Sequence, residues 1–428
     1  MNLSLARALR ACCFSLFLLA PSIHAADSNL RPLTLEQAVD AALQAHPELQ
    51  GFAFKLRALE ARQRQAGLRP APEVSVELEN FFGTGEASGL SGAEATFALS
   101  QVIELGDKRA ARIGAVLAER DVLGIQHQTV QLDVLAEVTR RFIALAQRQE
   151  QLALARRATA LAEQTVAGAK RRVDAAKSPH AELDRALIAR DRLKLEERAA
   201  EVDVDTARKQ LSATWGESPL PGMDAKPFGE VTADLYKLPE AGDFPQLLEQ
   251  LQRNPDFLLF ATEARLRDAE VRLALSQRQA DISVSAGLRR LQGSRDQAFV
   301  ASFSMLLFAG KRNASYVAEA VAKRELLDAE RRIAEVKAQA TLYELHRQML
   351  RAISEAKTLK EEIQPRSAEA LKETEYAYQR GRYSYLELID AQREFLAVQA
   401  ALIEAAATAH TLRVEIERLI NAPLAPKP

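Results

Sequence analysis

Four short stretches of the chain alternate apolar with polar residues, although most of the sequence has the pattern of helices. In residues 73–82, alternate positions are mostly valine, leucine or phenylalanine, and the positions between them are mostly glutamate or serine. A period of two residues is typical of a strand with one apolar and one polar face. The pattern predicts four such strands, at residues 73–82, 94–104, 281–290 and 298–308.

The length and the two faces of these strands indicate a membrane barrel. Strands of about ten residues cross a bilayer when tilted, and a sheet in lipid must close on itself. The smallest such barrels have about eight strands, so four strands per chain require several copies. We expect a homotrimer, in which three copies supply twelve strands. The polar-face residues Glu73, Glu77 and Glu79 are then expected to face a watery lumen, and the apolar face to contact outer-membrane lipid.

Long helices are predicted between and after the strands. Apolar residues recur at seven-residue spacing in residues 108–175, 180–214, 311–380 and 384–421. Nothing in the first segment stops a helix, which at 1.5 Å per residue would be about 100 Å long. A seven-residue period indicates helices wound around partner helices. Taken alone, this period is also that of a simple coiled-coil rod.

The chain is an internal duplication. Pro47 matches Pro255 and Glu73 matches Asp281, each 208 residues apart (255 − 47 and 281 − 73). We therefore expect a first repeat at 26–215 and a second at 244–422. Residues 216–243, rich in proline and glycine, are predicted to be a linker, and residues 423–428 a C-terminal tail.

The first 25 residues have the pattern of a secretory signal peptide. Arg7 and Arg10 precede the apolar run 11–20, and the segment ends in the small residue Ala25. Both cysteines, Cys12 and Cys13, lie in this segment, so the mature chain is expected to have no disulfide and no thiolate ligand. No later run is predicted to be long and apolar enough for a membrane-spanning helix.

Composition and side-chain chemistry exclude several classes of function. The 57 basic and 58 acidic residues are well mixed, which excludes a global basic field for nucleic acid. The histidines after residue 25 are scattered without ligand spacing, and there is no catalytic triad and no phosphate-binding loop. We therefore predict no metal site, no cofactor, no nucleic-acid partner and no enzymatic activity.

Two segments resemble the TolC family of outer-membrane efflux channels, and in particular its heavy-metal-cation (CzcC-like) branch. They are IELGDKRAAR at 103–112 and PRSAEALKETEYAYQRGRYSYLELIDAQREFL at 365–396, while FAGKRNAS at 308–315 departs from the family pattern. The resemblance implies a mainly α fold with a small β part. In such a fold, a transmembrane β-barrel assembled from several chains continues into a long periplasmic α-barrel, with four strands and two helical hairpins per chain.

The resemblance also implies a function and partners. The chain would be the outer-membrane exit duct of a tripartite efflux system, with a periplasmic adaptor and an inner-membrane RND pump, exporting heavy-metal cations. Drugs or secreted polypeptide are the alternative cargo. A periplasmic coiled-coil structural protein without a pore is the alternative from a different functional class.

Site residues follow from the resemblance in the same way. The two turns between the long helices would form the periplasmic tip where the adaptor docks. Glu387 and Asp390, just inside this tip, would form an acidic ring that constricts the pore and attracts cations. A solvated pair on the outside of a helix is the alternative, and Arg382 could instead pair with Glu387. The expected docking residues are Ser178, Pro179, His180, Arg380, Gly381, Arg382 and Ser384.

Overall fold

The computed structural model describes residues 32–217 and 228–422. The predicted signal peptide, ten residues of the predicted linker and the predicted C-terminal tail lie outside the described residues. The first half contains α1 (Leu35–Ala45), α2 (Pro47–Ala66), β1 (Glu73–Glu79), β2 (Glu94–Ile103), α3 (Lys108–Asp174) and α4 (His180–Ser212). The second half contains α5 (Phe244–Leu251), α6 (Pro255–Ser276), β3 (Ile282–Leu291), β4 (Gln297–Met305), α7 (Ala309–Arg312), α8 (Ala314–Thr358), α9 (Gln364–Gln379) and α10 (Tyr385–Ile420).

The two halves begin in the same way because the same local signals recur. His46 caps α2 and Asn254 caps α6, each accepting a hydrogen bond from the backbone amide two residues later, at 3.2 and 2.7 Å. A proline occupies the first turn of both helices, where its missing N–H costs nothing. Asn254 also donates to the carbonyls of Arg418 and Leu419, which ties the start of α6 to the end of α10.

The strands form one antiparallel sheet in the order β1-β2-β3-β4. One row across the sheet is Val76, Phe97, Leu288 and Phe299, all exposed, and the neighbouring row is Glu77, Thr96, Arg289 and Ala298. The alternation predicted from the sequence is therefore a division of the whole sheet into an apolar and a polar face. β1 and β4 are edge strands, with no strand on their outer sides in the part of the chain that the structure describes.

The long helices form a layer whose centre is α3 and α10. Along the upper part of this layer, next to the sheet, the neighbours are α2, α3, α6 and α8 in that order. Towards the far end the order is α4, α3, α10 and α9. α4 and α2 therefore lie at one side of the layer, and α8 and α9 at the other.

Two predicted strands end earlier than expected. β1 ends at Glu79 rather than at residue 82, because Asn80 and Phe82 have left-handed backbone angles (φ 56° and 57°). β4 ends at Met305 rather than at 308, since Phe308 is also left-handed (φ 63°) and starts α7.

The helix expected at 311–380 is divided into α7, α8 and α9. A break at Asn313 separates α7 from α8, and a single π-helical turn at Leu359–Ile363 separates α8 from α9. Pro365 is the second residue of α9, two positions after that turn. Because a proline ring clashes with the carbonyl four residues earlier in a regular α-helix, the wider turn accommodates it.

The described part of the linker packs against the helices and is not a free connection. Val231 and Leu235 are buried, and Val231 forms a bridge with Leu33. The Nε2 atoms of His346 and His410 lie 3.0 Å from the carbonyl oxygens of Gly242 and Leu235. Burial lowers the pKa of His410, which favours the neutral ring. The amide of Val231 also donates to the side-chain oxygen of Gln149 on α3 at 3.3 Å, so the segment from 228 to 243 contacts both long hairpins.

Among the residues that the structure describes, one helix is long and apolar enough, by length and composition alone, to cross a membrane. It is α10, whose most apolar window has a mean hydropathy of 1.3. The sequence analysis expected no such run. α10 packs against α3, α8 and α9 along its length, and its buried residues include Leu402, Ile403 and Ala406. Its apolar character is therefore accounted for by its central place in the helical layer.

Candidate functional site

The turns that join the long helices lie at the end of the molecule farthest from the sheet. Between α3 and α4, Ala176 has a left-handed backbone (φ 53°), and the amide of Lys177 donates to the carbonyl of Arg172 at 2.8 Å. Between α9 and α10, Gly381 has φ 74°, a conformation that a residue without a β-carbon adopts at no steric cost. Both turns are therefore tight reversals with local hydrogen bonds.

The two turns are joined by a cluster that the sequence analysis missed. The guanidinium of Arg172 donates to the carbonyl of Tyr378 at 2.8 Å and lies over its ring, 4.6 Å from the centroid. The Tyr378 hydroxyl donates to Glu182 at 2.6 Å. Burial, followed by the Glu182 carboxylate, raises the pKa of Tyr378 well above its usual range, so the hydroxyl stays protonated. The only sequence signal was the seven-residue spacing of Leu371, Tyr378 and Tyr385.

The residues expected at the tip all lie there, but some are held by contacts with neighbouring side chains and others are exposed. Arg172 donates to the hydroxyl of Ser178 at 3.3 Å, and Pro179 precedes the first residue of α4. His180 is exposed and lies 3.2 Å from Asp184. Arg380 lies over the ring of Tyr376, 4.9 Å from its centroid. Gly381 and Arg382 are exposed at the apex of the second turn. Adaptor docking by these residues remains a prediction.

Ser384 and Glu387 form a capping box at the start of α10. The Glu387 carboxylate accepts hydrogen bonds from the Ser384 amide and hydroxyl, at 2.6 and 2.8 Å, and the Glu387 amide donates to the hydroxyl. These hydrogen bonds, that from the backbone first, lower the pKa of Glu387. Its carboxylate is therefore held by Ser384 rather than by Arg382, the pairing weighed from the sequence.

Glu387 and Asp390 line one groove between α4 and α10. The groove has a volume of about 850 Å³, and its floor is the face of α3 that carries Leu161, Ala162 and Thr165. A third carboxylate, that of Glu196, also lines the groove, together with three arginines, Arg185, Arg192 and Arg393. The structure thus brings the two predicted gate residues together. Which side of an assembled channel they face depends on neighbouring copies of the chain, so the acidic ring remains a prediction.

A buried polar contact lies beneath this groove. Gln392 donates to the hydroxyl of Thr165 at 3.0 Å, and both side chains are buried. Nearby, Glu375 of α9 has a pKa raised by burial, an effect that a hydrogen bond from Gln392 partly opposes. The floor of the groove is therefore held by polar as well as apolar contacts between α3, α9 and α10.

The polar face of the sheet carries a second charged cluster, at the end away from the helices. The guanidinium of Arg289 lies 3.1 Å from Glu79 and 3.0 Å from Glu94, and its Nε donates to Thr96 at 3.0 Å. Glu73 and Glu77 lie on the same face and are exposed. All three predicted lumen residues thus share one face, and their contact with a lumen remains a prediction.

Cation and cofactor sites were expected to be absent. Within residues 32–217 and 228–422, no three histidine, cysteine, aspartate or glutamate side chains come together as a metal site would require. The chemistry at both ends of the molecule is that of ion pairs, helix caps and an open groove.

The fold and these sites define the subunit of an outer-membrane efflux channel, with an incomplete two-faced sheet on a long, duplicated helical hairpin. The chain belongs to the outer membrane efflux protein family, whose model matches residues 38–217 and 247–422. These two ranges correspond to the two repeats read from the sequence. The family is one of outer-membrane efflux channels, and it places the chain in the outer membrane.

Similar proteins include two metal-resistance proteins of Cupriavidus metallidurans. The cobalt-zinc-cadmium resistance protein CzcC is 26% identical over 393 residues, covering 91% of this chain and 90% of the relative. The nickel and cobalt resistance protein CnrC is 29% identical over 297 residues, covering 68% of this chain and 66% of the relative.

Solved structures share the fold over nearly the whole chain. The outer-membrane channel OprN superposes with a TM-score of 0.73 at 18% identity, covering 92% of this chain and 91% of the other. CusC, whose structures describe folding and transmembrane channel formation, also has a TM-score of 0.73, at 14% identity, covering 92% and 93%. The outer membrane protein VceC of Vibrio cholerae has a TM-score of 0.71 at 16% identity, covering 91% and 97%.

Proposed function

We propose that this protein is the homotrimeric exit duct of a tripartite efflux system and that its cargo is heavy-metal cations. The observation that carries the channel assembly is the four-stranded sheet with two unpaired edges and one exposed apolar face. Lipid cannot satisfy the free N–H and C=O groups of β1 and β4, so the sheet needs further copies to close. Three copies supply twelve strands, enough for a barrel.

Exposed apolar stripes on the outer helices support assembly. Ile188, Leu195 and Val202 are seven residues apart on α4 and exposed. Val336, Tyr343 and Leu350 repeat the spacing on α8, at the other side of the layer. Apolar side chains at seven-residue spacing are stable when a second helix covers them. The two-faced sheet argues against a simple coiled-coil rod, which would have no use for such a sheet.

The choice of cargo rests on the resistance proteins and on charge. CzcC and CnrC are named for resistance to cobalt, zinc, cadmium and nickel. A ring of Glu387 and Asp390 from three copies would raise the local concentration of divalent cations at the periplasmic end. The adaptor would dock on the two turns at that end, and an inner-membrane RND pump would supply the energy. Drugs or secreted polypeptide are the competing cargo.

A complementation experiment separates the cargo alternatives. The gene would be expressed in a host that lacks its own metal exit duct but retains the adaptor and the inner-membrane pump of that efflux system. The complemented host should grow on zinc, cobalt or cadmium salts and should remain sensitive to hydrophobic drugs. Restored drug resistance without metal resistance would overturn the metal cargo but not the channel. A folded monomer in detergent, without conductance in planar bilayers, would overturn the exit duct itself.

A further inference from the structure

A cavity of about 390 Å³ lies between the sheet and the tip, where the segment from 228 to 243 crosses the long helices. Its walls come from α3, from that segment, from the π-helical turn with the start of α9, and from α10. The volume is within the range of small-molecule sites. In the described part of the chain it shares no lining residue with the groove of Glu387 and Asp390, so the two cavities are separate.

Two cationic side chains that line this cavity have no acidic partner. Lys360 lies in the π-helical turn, and its Nζ donates to the backbone carbonyl of Tyr236 at 3.1 Å. Arg157 on α3 donates from Nε to the carbonyl of Ala153 at 3.3 Å, which leaves the terminal NH₂ groups of its guanidinium. Among the described residues, neither cation forms an ion pair with a carboxylate. Both therefore have donors left for a molecule in the cavity.

The carboxylate that lines the cavity is already engaged. The hydroxyl of Tyr236 donates to Oε2 of Glu150 at 3.1 Å. Burial, followed by the Glu150 carboxylate, raises the pKa of Tyr236 well above its usual range, so the hydroxyl keeps its proton. The described lining residues thus carry two positive charges and one negative charge, and the cavity has a surplus of positive charge.

Two side-chain amides line the same cavity. Gln399 on α10 is only 7% exposed, and its carboxamide makes no hydrogen bond to the described part of the chain. Gln364 lies four positions after Lys360, on the same side of the helix. A buried polar group in a folded protein normally has a hydrogen-bond partner. For Gln399, that partner must come from what occupies the cavity.

The walls of the cavity are held by a packed frame. Leu359, in the π-helical turn, and Leu402, on α10, belong to one buried apolar cluster, against which Tyr236 also packs. The backbone positions of Lys360 and Gln399 are therefore set by the core and not by a free loop. Single π-helical turns inside long helices occur frequently at functional sites. Here the turn carries one of the two cations of the cavity.

We infer that this cavity binds a small organic anion through a carboxylate or phosphate group. Lys360 and Arg157 donate to the anionic oxygens, in charge-assisted hydrogen bonds of the strong kind. Gln399 supplies a further hydrogen bond, and Leu402 contacts the organic part. The bound anion would join α3, the π-helical turn and α10. The inference goes beyond the proposed function and does not depend on it, because every lining residue belongs to one chain.

Calorimetric titration of the full-length protein in detergent tests this site. Inorganic phosphate and citrate would be added separately, against sodium chloride at matched ionic strength and against uncharged glycerol. At least one of the two anions should bind saturably at one site per chain and raise the midpoint of thermal unfolding, whereas chloride and glycerol should do neither. Binding of phosphate alone or of citrate alone identifies which oxyanion is recognised. Absence of saturable binding for both would overturn the inference.

Variants locate the binding in this cavity. Lys360→Gln with Arg157→Gln should weaken it about tenfold or more, because each lost hydrogen bond to a charged group has that effect. Gln399→Leu, which keeps both charges, should weaken it as well. The matched control, Lys357→Gln with Arg366→Gln, removes two exposed cations that flank the π-helical turn and should bind as the wild type does. Unchanged affinity in the Lys360 and Arg157 variant, or an equal loss in the control, would contradict the site and leave the channel proposal standing.

Discussion

The carboxylate of Glu387 is held by Ser384, which donates to it from both its backbone amide and its hydroxyl, at 2.6 and 2.8 Å. A residue predicted to attract cations in a pore is thus also a structural part of the turn at the tip. The two roles are compatible, because a carboxylate has more lone pairs than these two donors occupy. The capping role and the pore role can be distinguished, because they lead to different expected results when Ser384 or Glu387 is changed.

Ser384→Ala should loosen the start of α10. Loss of a serine N-cap costs about 1 kcal/mol, and the carboxylate of Glu387 loses a hydroxyl donor. We expect a lower unfolding midpoint in denaturant and a pKa of Glu387 that moves back towards its usual value. Ser178→Ala, in the other turn, removes a hydroxyl that caps no helix and is the matched control. An unchanged midpoint for Ser384→Ala would contradict the capping role.

The cap also has a defined pH dependence. Hydrogen bonds lower the pKa of Glu387 in the folded chain. The ionised carboxylate therefore makes its full contribution to the stability of the folded chain above the ordinary pKa of a glutamate. The contribution is lost as the pH falls through the lowered, folded-state value. The stability difference between wild type and Glu387→Gln should therefore be constant near neutral pH and shrink only in acid. A difference that changed mainly between pH 6 and 8 would contradict this assignment.

Glu387→Gln combined with Asp390→Asn tests the acidic ring. The change preserves size and removes six charges from a trimer, two from each of three copies. In planar bilayers the double variant should lose cation preference and should be blocked less by multivalent cations added on the periplasmic side. Glu373→Gln, an exposed carboxylate on α9, serves as the control. Unchanged conductance, ion preference and block would place the two carboxylates outside the pore.

Tyr378→Phe should weaken the contact between the two turns. The phenol donates to a carboxylate inside the Arg172–Glu182 cluster, and a hydrogen bond to a charged group contributes about 1.5 to 3 kcal/mol. Tyr383→Phe, at an exposed position, should have no measurable effect. Thermal unfolding would compare the two variants. Equal stability of the two variants would show that the cluster contributes nothing.

Val76→Arg tests the assignment of the sheet faces. An arginine at the midplane of a lipid-facing strand costs about 2 to 4 kcal/mol, so the yield of inserted protein should fall. Ser75→Arg places an arginine at the adjacent position, on the polar face of the sheet, and this variant should insert normally. Outer-membrane fractions after mild extraction provide the measurement. Poorer insertion of Ser75→Arg than of Val76→Arg would show that the faces are reversed.

Gly287→Ala tests a close approach in the middle of the sheet. A β-carbon at this position would lie 2.3 Å from the carbonyl oxygen of Phe97 and 2.9 Å from the Cα of Ala98, both backbone atoms. Strands β2 and β3 would have to separate locally, so assembled protein should become less resistant to heat. Gly293→Ala, whose nearest neighbour lies at 3.5 Å, is the control. Equal heat resistance would mean that the sheet adapts without cost.

The sequence alone determined the element types, the duplication and the two faces of the sheet. These follow from local periodicity: a period of two for the strands, a period of seven for the helices and a constant offset for the repeats. The two periods depend only on neighbours in the chain, whereas the offset comes from comparing the two halves of the sequence. The period of two was enough to assign Glu73, Glu77 and Glu79 to one face. The length of α3 followed in the same way, since nothing between Lys108 and Asp174 interrupts it.

Only the tertiary structure decided which elements lie side by side and which surfaces stay uncovered. The contacts of Arg172 with Tyr378 and of Arg289 with Glu79 and Glu94 join residues from different hairpins and strands, about 200 residues apart in most cases, and no local pattern encodes them. Phe54 on α2 is exposed, whereas Thr262, at the corresponding position of α6, is buried. The two helices differ because α6 has a helix on each side and α2 has only one neighbour, which is a property of the packed layer and not of either repeat.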